Sequence, residues 1–164
     1  MNPQFRIGLG MDVHAFADNR KLILGGIEIP YKKGLAGHSD ADALLHSITD
    51  AMLGALALGD IGQHFPDTDP KYKNADSSFF LKETHRMIKE KGYSIANIDS
   101  MISLQEPKIL KYMIRMREKI SSLLNIELDQ VSVKAGTNER LGFVGRGEGT
   151  AVISTVLLIK DSAV

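Results

Sequence analysis

Residues 5 to 14 alternate without interruption: Phe5, Ile7, Leu9, Met11 and Val13 fall on one parity, and Arg6, Gly8, Gly10, Asp12 and His14 on the other. A period of two commits this segment to an extended strand with two unlike faces and rules out a helix. The apolar parity is expected to meet the core, which places Asp12 and His14 together on the polar face. By itself an Asp-x-His pair at a strand end is more often a solvated terminus than a pair of ligands.

The rest of the chain supplies partners for that strand. Leu22 to Pro30 reads as two short strands about the Gly25-Gly26 turn. A helix is expected to start at Ser39 as its cap, with Asp42 three residues on in a variant of the capping box. Its buried face would carry Ala41, Leu44, Leu45, Ile48, Met52, Ala55 and Leu56, and Gly59 would end it. Asp42, His46 and Asp50 are spaced by four and would stack on the neighbouring stripe. After a turn-rich acidic loop from His64 to Asp69, a second helix runs from Asp76 as cap to Gly92, with Phe80, Leu81, Thr84, Met87 and Ile88 inside. Ala96–Leu104 reads as a strand. Pro107 would open a third helix with Ile109, Leu110, Met113, Ile120 and Leu124 inward. Strands from Val131 and over 151–160 flank a glycine-rich stretch, Gly142 to Gly149. This order predicts an α+β fold: a single mixed sheet with helices on one face and a hairpin excursion.

With 164 residues the chain fits one domain spanning 1–164 and can bury a sizeable core. It has no cysteine, so any metal must be held by His and carboxylate. Twenty basic residues against 20 acidic ones leave no net charge, which argues against binding the nucleic-acid backbone. The N-terminus lacks signal or transit character, and the longest apolar run is far short of a membrane span, so a cytoplasmic protein is expected.

Strand and first helix must pack together in a chain this small, and both carry ligand-type side chains. Asp12, His14 and His46 would form a three-ligand site with one open position, the pattern of catalytic zinc. The same two-His, one-carboxylate set also suits iron in an oxygenase. Beside it, His38-Ser39 at a helix N-terminus would suit a phosphate, and Glu139 a second, harder cation shared with a polyphosphate.

Four segments carry a resemblance: GLGMDVHAF, GHSDADALLHSITDAMLGALALGDIGQHFPDTD, Gln105-Glu106-Pro107-Lys108 and KAGTNERLGFVGRGEG. Together and in this order they resemble the 2-C-methyl-D-erythritol 2,4-cyclodiphosphate synthases of non-mevalonate isoprenoid biosynthesis. The resemblance implies a homotrimer with active sites between adjacent subunits. It also implies a phosphorus–oxygen lyase acting on 4-diphosphocytidyl-2-C-methyl-D-erythritol 2-phosphate, whose 2-phosphate attacks the β-phosphorus to release CMP. By the same resemblance Asp12, His14 and His46 bind Zn²⁺, and Glu139 helps hold Mg²⁺ or Mn²⁺ between the phosphates. His38 and Thr137 would position and stabilise the transition state, with Ser39 beside the phosphate. Leu104, Pro107, Lys108 and Ile109 would shape the cytidine pocket with Ala135, Gly136, Thr137 and Asn138. Asp60, Ile61, Gly62, Phe65, Pro66, Asp67, Thr68 and Asp69 would line the methylerythritol side. Phe143, Arg146 and Glu148 would lie towards the trimer axis, where the family can hold an isoprenoid diphosphate.

One departure stands out, since members of the family commonly carry a threonine where this chain has Gly136. Contact there would be through backbone only. Two other functions fit fewer of the residues. An iron enzyme built on the same triad would be unusual on a chain with three clear helices, and a non-enzymatic isoprenoid-diphosphate binding module leaves the triad without a task.

Overall fold

The computed structural model describes residues 4–161. Its strands are β1 (Phe5–Ala17), β2 (Leu22–Leu24), β3 (Ile27–Ile29), β4 (Gly34–Leu35), β5 (Tyr93–Ser103), β6 (Val131–Gly136) and β7 (Gly149–Lys160). The helices are α1 (Ala43–Ala55), α2 (Ile61–His64), α3 (Ser77–Glu90), α4 (Met113–Leu124) and α5 (Gly142–Gly145). Five strands form one mixed sheet in the order β4-β1-β7-β5-β6, antiparallel except for β5 with β6, and β2 pairs with β3 as a separate hairpin. Gly25 and Gly26 both take positive φ, at 61° and 69°, as a tight hairpin turn requires. The α+β expectation holds, with one helical layer and one hairpin outside the sheet.

The core lies between the sheet and the helices. Leu44, Leu45, Ile48 and Met52 of α1, Leu81 and Ile88 of α3, and Met116, Ile120 and Leu124 of α4 share one buried cluster with Ile98, Ile102, Val131, Val152, Val156 and Leu158 of the sheet. The parity of β1 that enters this layer is the reverse of the one expected. Gly8 and Gly10 face α1, and Ile7 and Leu9 are 74% and 66% exposed. A Cβ at Gly8 would stand 1.8 Å from the Ala51 carbonyl oxygen, and one at Gly10 would stand 2.1 Å from that of Ser47. Helix α1 therefore rests on strand backbone where a side-chain layer would otherwise be. On the far face Met11, Ile153 and Met101 form a row across β1, β7 and β5, all substantially exposed, beside the Phe5–Val13 stripe.

Several boundaries shift for local reasons. Helix α1 starts after Asp42 because Ala41 is left-handed at φ 58°, and its cap is Asp42, which accepts from Leu44 N and Leu45 N at 3.1 and 3.0 Å. The same carboxylate accepts from Gly25 N and Gly26 N at 2.9 and 2.6 Å, so it is wholly buried and belongs to no polar stripe with His46 and Asp50. Ser39, the expected cap, instead accepts from Ala41 N within its own turn. The first helix ends at Ala55, well before Gly59, and the segment leading into the acidic loop forms the unexpected α2, capped by Asp60. Pro107 follows a cis peptide bond and does not open a helix; α4 begins at Met113 after a 3₁₀ turn, and Leu110 points outward at 79% exposure. Strand β5 starts at Tyr93, earlier than expected. Helix α3 has the expected Asp76 cap and is followed by Gly92 at φ 74°.

Since α1 and β1 touch through backbone, Gly10→Ala should destabilise the protein by about 1–3 kcal/mol, as overpacking does. A lower denaturant midpoint at unchanged slope would show it; an unchanged midpoint would refute the close contact.

Candidate metal centre and adjoining cavities

The close seating of α1 sets His46, in the first turns of the helix, against the end of β1. His14 Nδ1 lies 2.6 Å from the Ala36 carbonyl oxygen, to which it can only donate. That leaves His14 Nε2 free, 2.8 Å from Asp12 Oδ2 and 3.4 Å from His46 Nδ1. His46 Nδ1 in turn lies 3.1 Å from the same Asp12 oxygen. Asp12, His14 and His46 are the one such cluster among the described residues whose ligand atoms, all within 4.8 Å of one another, could hold a metal ion. Their side chains are 12–23% exposed, so the cluster is partly desolvated yet open on one side.

The electrostatics carry the imprint of that crowding. Burial alone would raise the Asp12 carboxyl, but hydrogen bonds and charge from His14 and His46 outweigh it and hold it well below the usual carboxylate range. Burial would lower His14, and the Asp12 carboxylate overrides it, raising the imidazole above its ordinary value. Two inward nitrogens facing one carboxylate oxygen make a donor set that a borderline divalent cation fits.

A cavity of about 390 Å³ opens on the triad. It is lined by Asp12, His14, His46, His38, Ser39, Ile61, Gly62, Phe65 and Asp67 of the expected residues, and by Gly37, Tyr72 and Phe80, which the sequence did not single out. Phe65, Tyr72 and Phe80 pack ring against ring at 5.0–5.7 Å, and Phe80 lies 6.1 Å from the His46 ring. His38 and Ser39 sit ahead of α1 in a loop held by Arg20, which donates to the carbonyls of Gly37 and Ser39 at 3.1 and 2.6 Å. They do not form its N-terminus, because Ala41 and Asp42 intervene. His38 Nε2 is buried without a hydrogen-bond partner in the chain, a rare condition that favours a ligand-bearing site. Asp50 accepts from Ile61 N at 2.7 Å and so fixes α2 against the cavity; its place one turn beyond His46 was the only signal for it. Asp60 and Asp69 cap turns nearby, and Pro66 and Thr68 belong to the same loop without lining the cavity.

A second cavity of about 250 Å³ gathers Leu104, Pro107, Lys108, Ile109, Ala135, Gly136 and Thr137, with Leu110 and Met113. Asn138 and Glu139 follow directly, and Thr137 Oγ1 donates to Glu139 Oε1 at 2.6 Å. Register across the sheet places Asp12 opposite Val152, Val152 opposite Ile102, and Ile102 opposite Ala135. The Asp12 and Ala135 positions are thus about 14 Å apart by three interstrand spacings, and the two cavities lie over different strands of the same sheet face. Glu139 is not among the residues lining the triad's cavity. Phe143 and Arg146 lie apart from both cavities, and Arg146 is paired with Glu148 at 2.7 Å.

Protons and a metal ion compete for the inward nitrogens. Without metal, the raised His14 pKa contributes stability that is present below the ordinary imidazole range and is lost as pH rises through the raised value. The lowered Asp12 pKa contributes stability present above the ordinary carboxylate range and lost as pH falls through the lowered value. Stabilisation by added divalent metal should therefore grow as pH rises from about 6 to about 8. Calorimetry of chelated and metal-loaded protein reads this directly, and a gain that shrinks with pH would contradict the site.

Comparison with known proteins places the chain among relatives of known activity. The YgbB family matches residues 5–159. The 2-C-methyl-D-erythritol 2,4-cyclodiphosphate synthase of Chloroherpeton thalassium is 55% identical over 155 residues, covering 94% of this chain and 99% of that protein. Its counterpart from Prosthecochloris aestuarii is 56% identical over 153 residues, covering 93% and 98%. Among solved structures, the bifunctional IspDF from Campylobacter jejuni matches with a TM-score of 0.92 at 46% identity over 95% of this chain, which spans 42% of that longer protein. IspF from Plasmodium falciparum in complex with CDP matches with a TM-score of 0.87 at 35% identity, over 99% of this chain and 100% of that one. The residues that form the triad and its cavity lie within the matched span, and this chain belongs to the YgbB family, the family of these cyclodiphosphate synthases.

Proposed function

We propose that this chain is a metal-dependent 2-C-methyl-D-erythritol 2,4-cyclodiphosphate synthase. The observation that carries the reading is the convergence of Asp12, His14 and His46 on one open cavity in a member of this family. The substrate is 4-diphosphocytidyl-2-C-methyl-D-erythritol 2-phosphate. An oxygen of its 2-phosphate forms a bond to the β-phosphorus, the bond from that phosphorus to the bridging oxygen breaks, and CMP leaves with the electron pair. The nucleophile is already anionic, so no dedicated base is needed. What the protein supplies is alignment, which can contribute on the order of 7–11 kcal/mol, and charge neutralisation.

Asp12, His14 and His46 hold Zn²⁺, and Glu139 contributes to a Mg²⁺ or Mn²⁺ site. Cations held there supply neutralisation of the diphosphate charge. His38 and Ser39 orient the phosphates from the cavity wall, and Thr137 aligns the diphosphate. The second cavity, from Leu104 through Ile109 and Ala135 through Asn138, receives cytidine, with Gly136 contributing backbone alone. Asp60 to Gly62 and Phe65 to Asp69 enclose the methylerythritol. A complete site combines the triad's cavity of one subunit with the second cavity of its neighbour in a homotrimer, a reading that the separation of the two cavities within one chain supports. The exposed row on β1, β7 and β5 supports that assembly, since covering each Ile- or Leu-sized side chain stabilises by roughly 1.5–3 kcal/mol. Phe143, Arg146 and Glu148 then lie towards the axis, where an isoprenoid diphosphate can bind. No helix of the described residues is long and apolar enough to cross a membrane, which agrees with a cytoplasmic enzyme.

The substrate should release CMP, and a chelator should abolish the release. His46→Ala should lose zinc and slow turnover about a thousandfold, the equivalent of several kcal/mol, while remaining folded. Normal turnover with retained zinc would sink the assignment. Metal analysis of protein purified without added metal distinguishes zinc from iron.

Placing a charge on the outer face separates an interface from free surface. Leu9→Glu should convert trimers to monomers in sedimentation and abolish turnover; an intact trimer would refute the proposed interface.

A further inference from the structure

Behind His46 lies a buried chain of hydrogen bonds that none of the roles above uses. Ser77, the first residue of α3, is wholly buried, with its hydroxyl 2.8 Å from His46 Nε2. That hydroxyl donates to Asp40 Oδ1 in a short contact, and Ser77 N donates to Asp40 Oδ2 at 3.1 Å. Asp40 also accepts from Asp42 N at 3.2 Å, which ties it to the start of α1. A serine has one hydroxyl hydrogen, and an ionised carboxylate only accepts. With that hydrogen committed to Asp40, Ser77 Oγ is left to accept from His46 Nε2 once a cation takes Nδ1; without the cation, Asp12 Oδ2, 3.1 Å from Nδ1, competes for the ring hydrogen. In that cation-bound form its Nδ1 lone pair is the one offered to the site shared with Asp12 and His14. For His14 the Ala36 carbonyl fixes the opposite form, with the hydrogen on Nδ1 and Nε2 inward.

We infer that Asp40 and Ser77 are positioning residues for the metal site, fixing the ring orientation of His46 and receiving its Nε2 hydrogen when Nδ1 holds the metal, through an Asp40–Ser77–His46 hydrogen-bond chain. Partners of this kind around metal-bound imidazoles orient the ligand and raise its basicity. Ser39 Oγ is a weaker candidate, 3.3 Å from the same nitrogen and already accepting from Ala41 N at 3.1 Å. The inference rests on the metal reading of the triad.

Ser77→Ala keeps the backbone bond to Asp40 and deletes only the hydroxyl; Asp40→Asn keeps the shape and removes the charge. Long-range ¹H–¹⁵N spectra of the Zn²⁺-loaded full-length protein should show the His46 Nε2 hydrogen slowed in exchange by its bond to Ser77. Ser77→Ala should lose that protection and bind Co²⁺ or Zn²⁺ about 10–100-fold more weakly, with unchanged circular dichroism. Asp40→Asn should move both readouts the same way by less. Wild-type exchange protection and affinity within about twofold in Ser77→Ala would overturn the inference alone, as would a larger loss in Ser39→Ala. Failure of the wild-type protein to bind either ion would overturn the metal reading, and this inference with it.

Discussion

The contact on which this structure turns is the seating of α1 directly on the backbone of β1. Gly8 and Gly10 leave no side-chain layer between them, and the carbonyls of Ala51 and Ser47 occupy the space a Cβ would need. Interiors this tight respond to a single added methyl group. The consequence is positional. An ordinary helix–sheet spacing would carry His46 away from Asp12 and His14, whereas here its Nδ1 comes within 3.1 Å of the Asp12 carboxylate.

Asp42 secures that arrangement from a second direction. A buried carboxylate is costly unless hydrogen-bonded, and this one accepts four backbone N–H groups, two from α1 and two from the β2–β3 hairpin. Burial raises its pKa despite those bonds. The hairpin is thereby fastened to the start of α1, beside the loop that carries His38 to Asp40. Asn74 and Asp40 cross-link that loop to the segment leading into α3, through Asn74 N to His38 O at 2.8 Å and Asp40 N to Ala75 O at 3.1 Å. The cavity wall is thus held from three elements while its aromatic side remains a stack of Phe65, Tyr72 and Phe80.

Glycine on the inner parity and large apolar residues on the outer one give the sheet two jobs. Its inner face brings a helix to Asp12 and His14, and its outer face presents the surface on which subunits are proposed to meet. The proposed trimer and the candidate site would then be two uses of one strand, since the cavity that gathers the triad and the cavity that gathers Thr137 lie over different strands of the same sheet face.

Much of this was legible from residue order. The period of two put Asp12 and His14 on one face, Asp76 and Gly92 bounded α3, and the Gly25-Gly26 turn made a hairpin, because strand pleat, helix capping and positive φ are local requirements. Which face of β1 is buried was not legible. A parity of glycines and polar groups resembles a solvent face until a helix backbone fills it. The spacing of Asp42, His46 and Asp50 suggested a stripe, yet three different partners claim them: hairpin amides, the triad and α2. A pattern along the chain records which residues share a face. Only tertiary packing decides what that face meets, because the partners come from segments distant in sequence, and it was packing that turned a surface-like histidine into a candidate ligand.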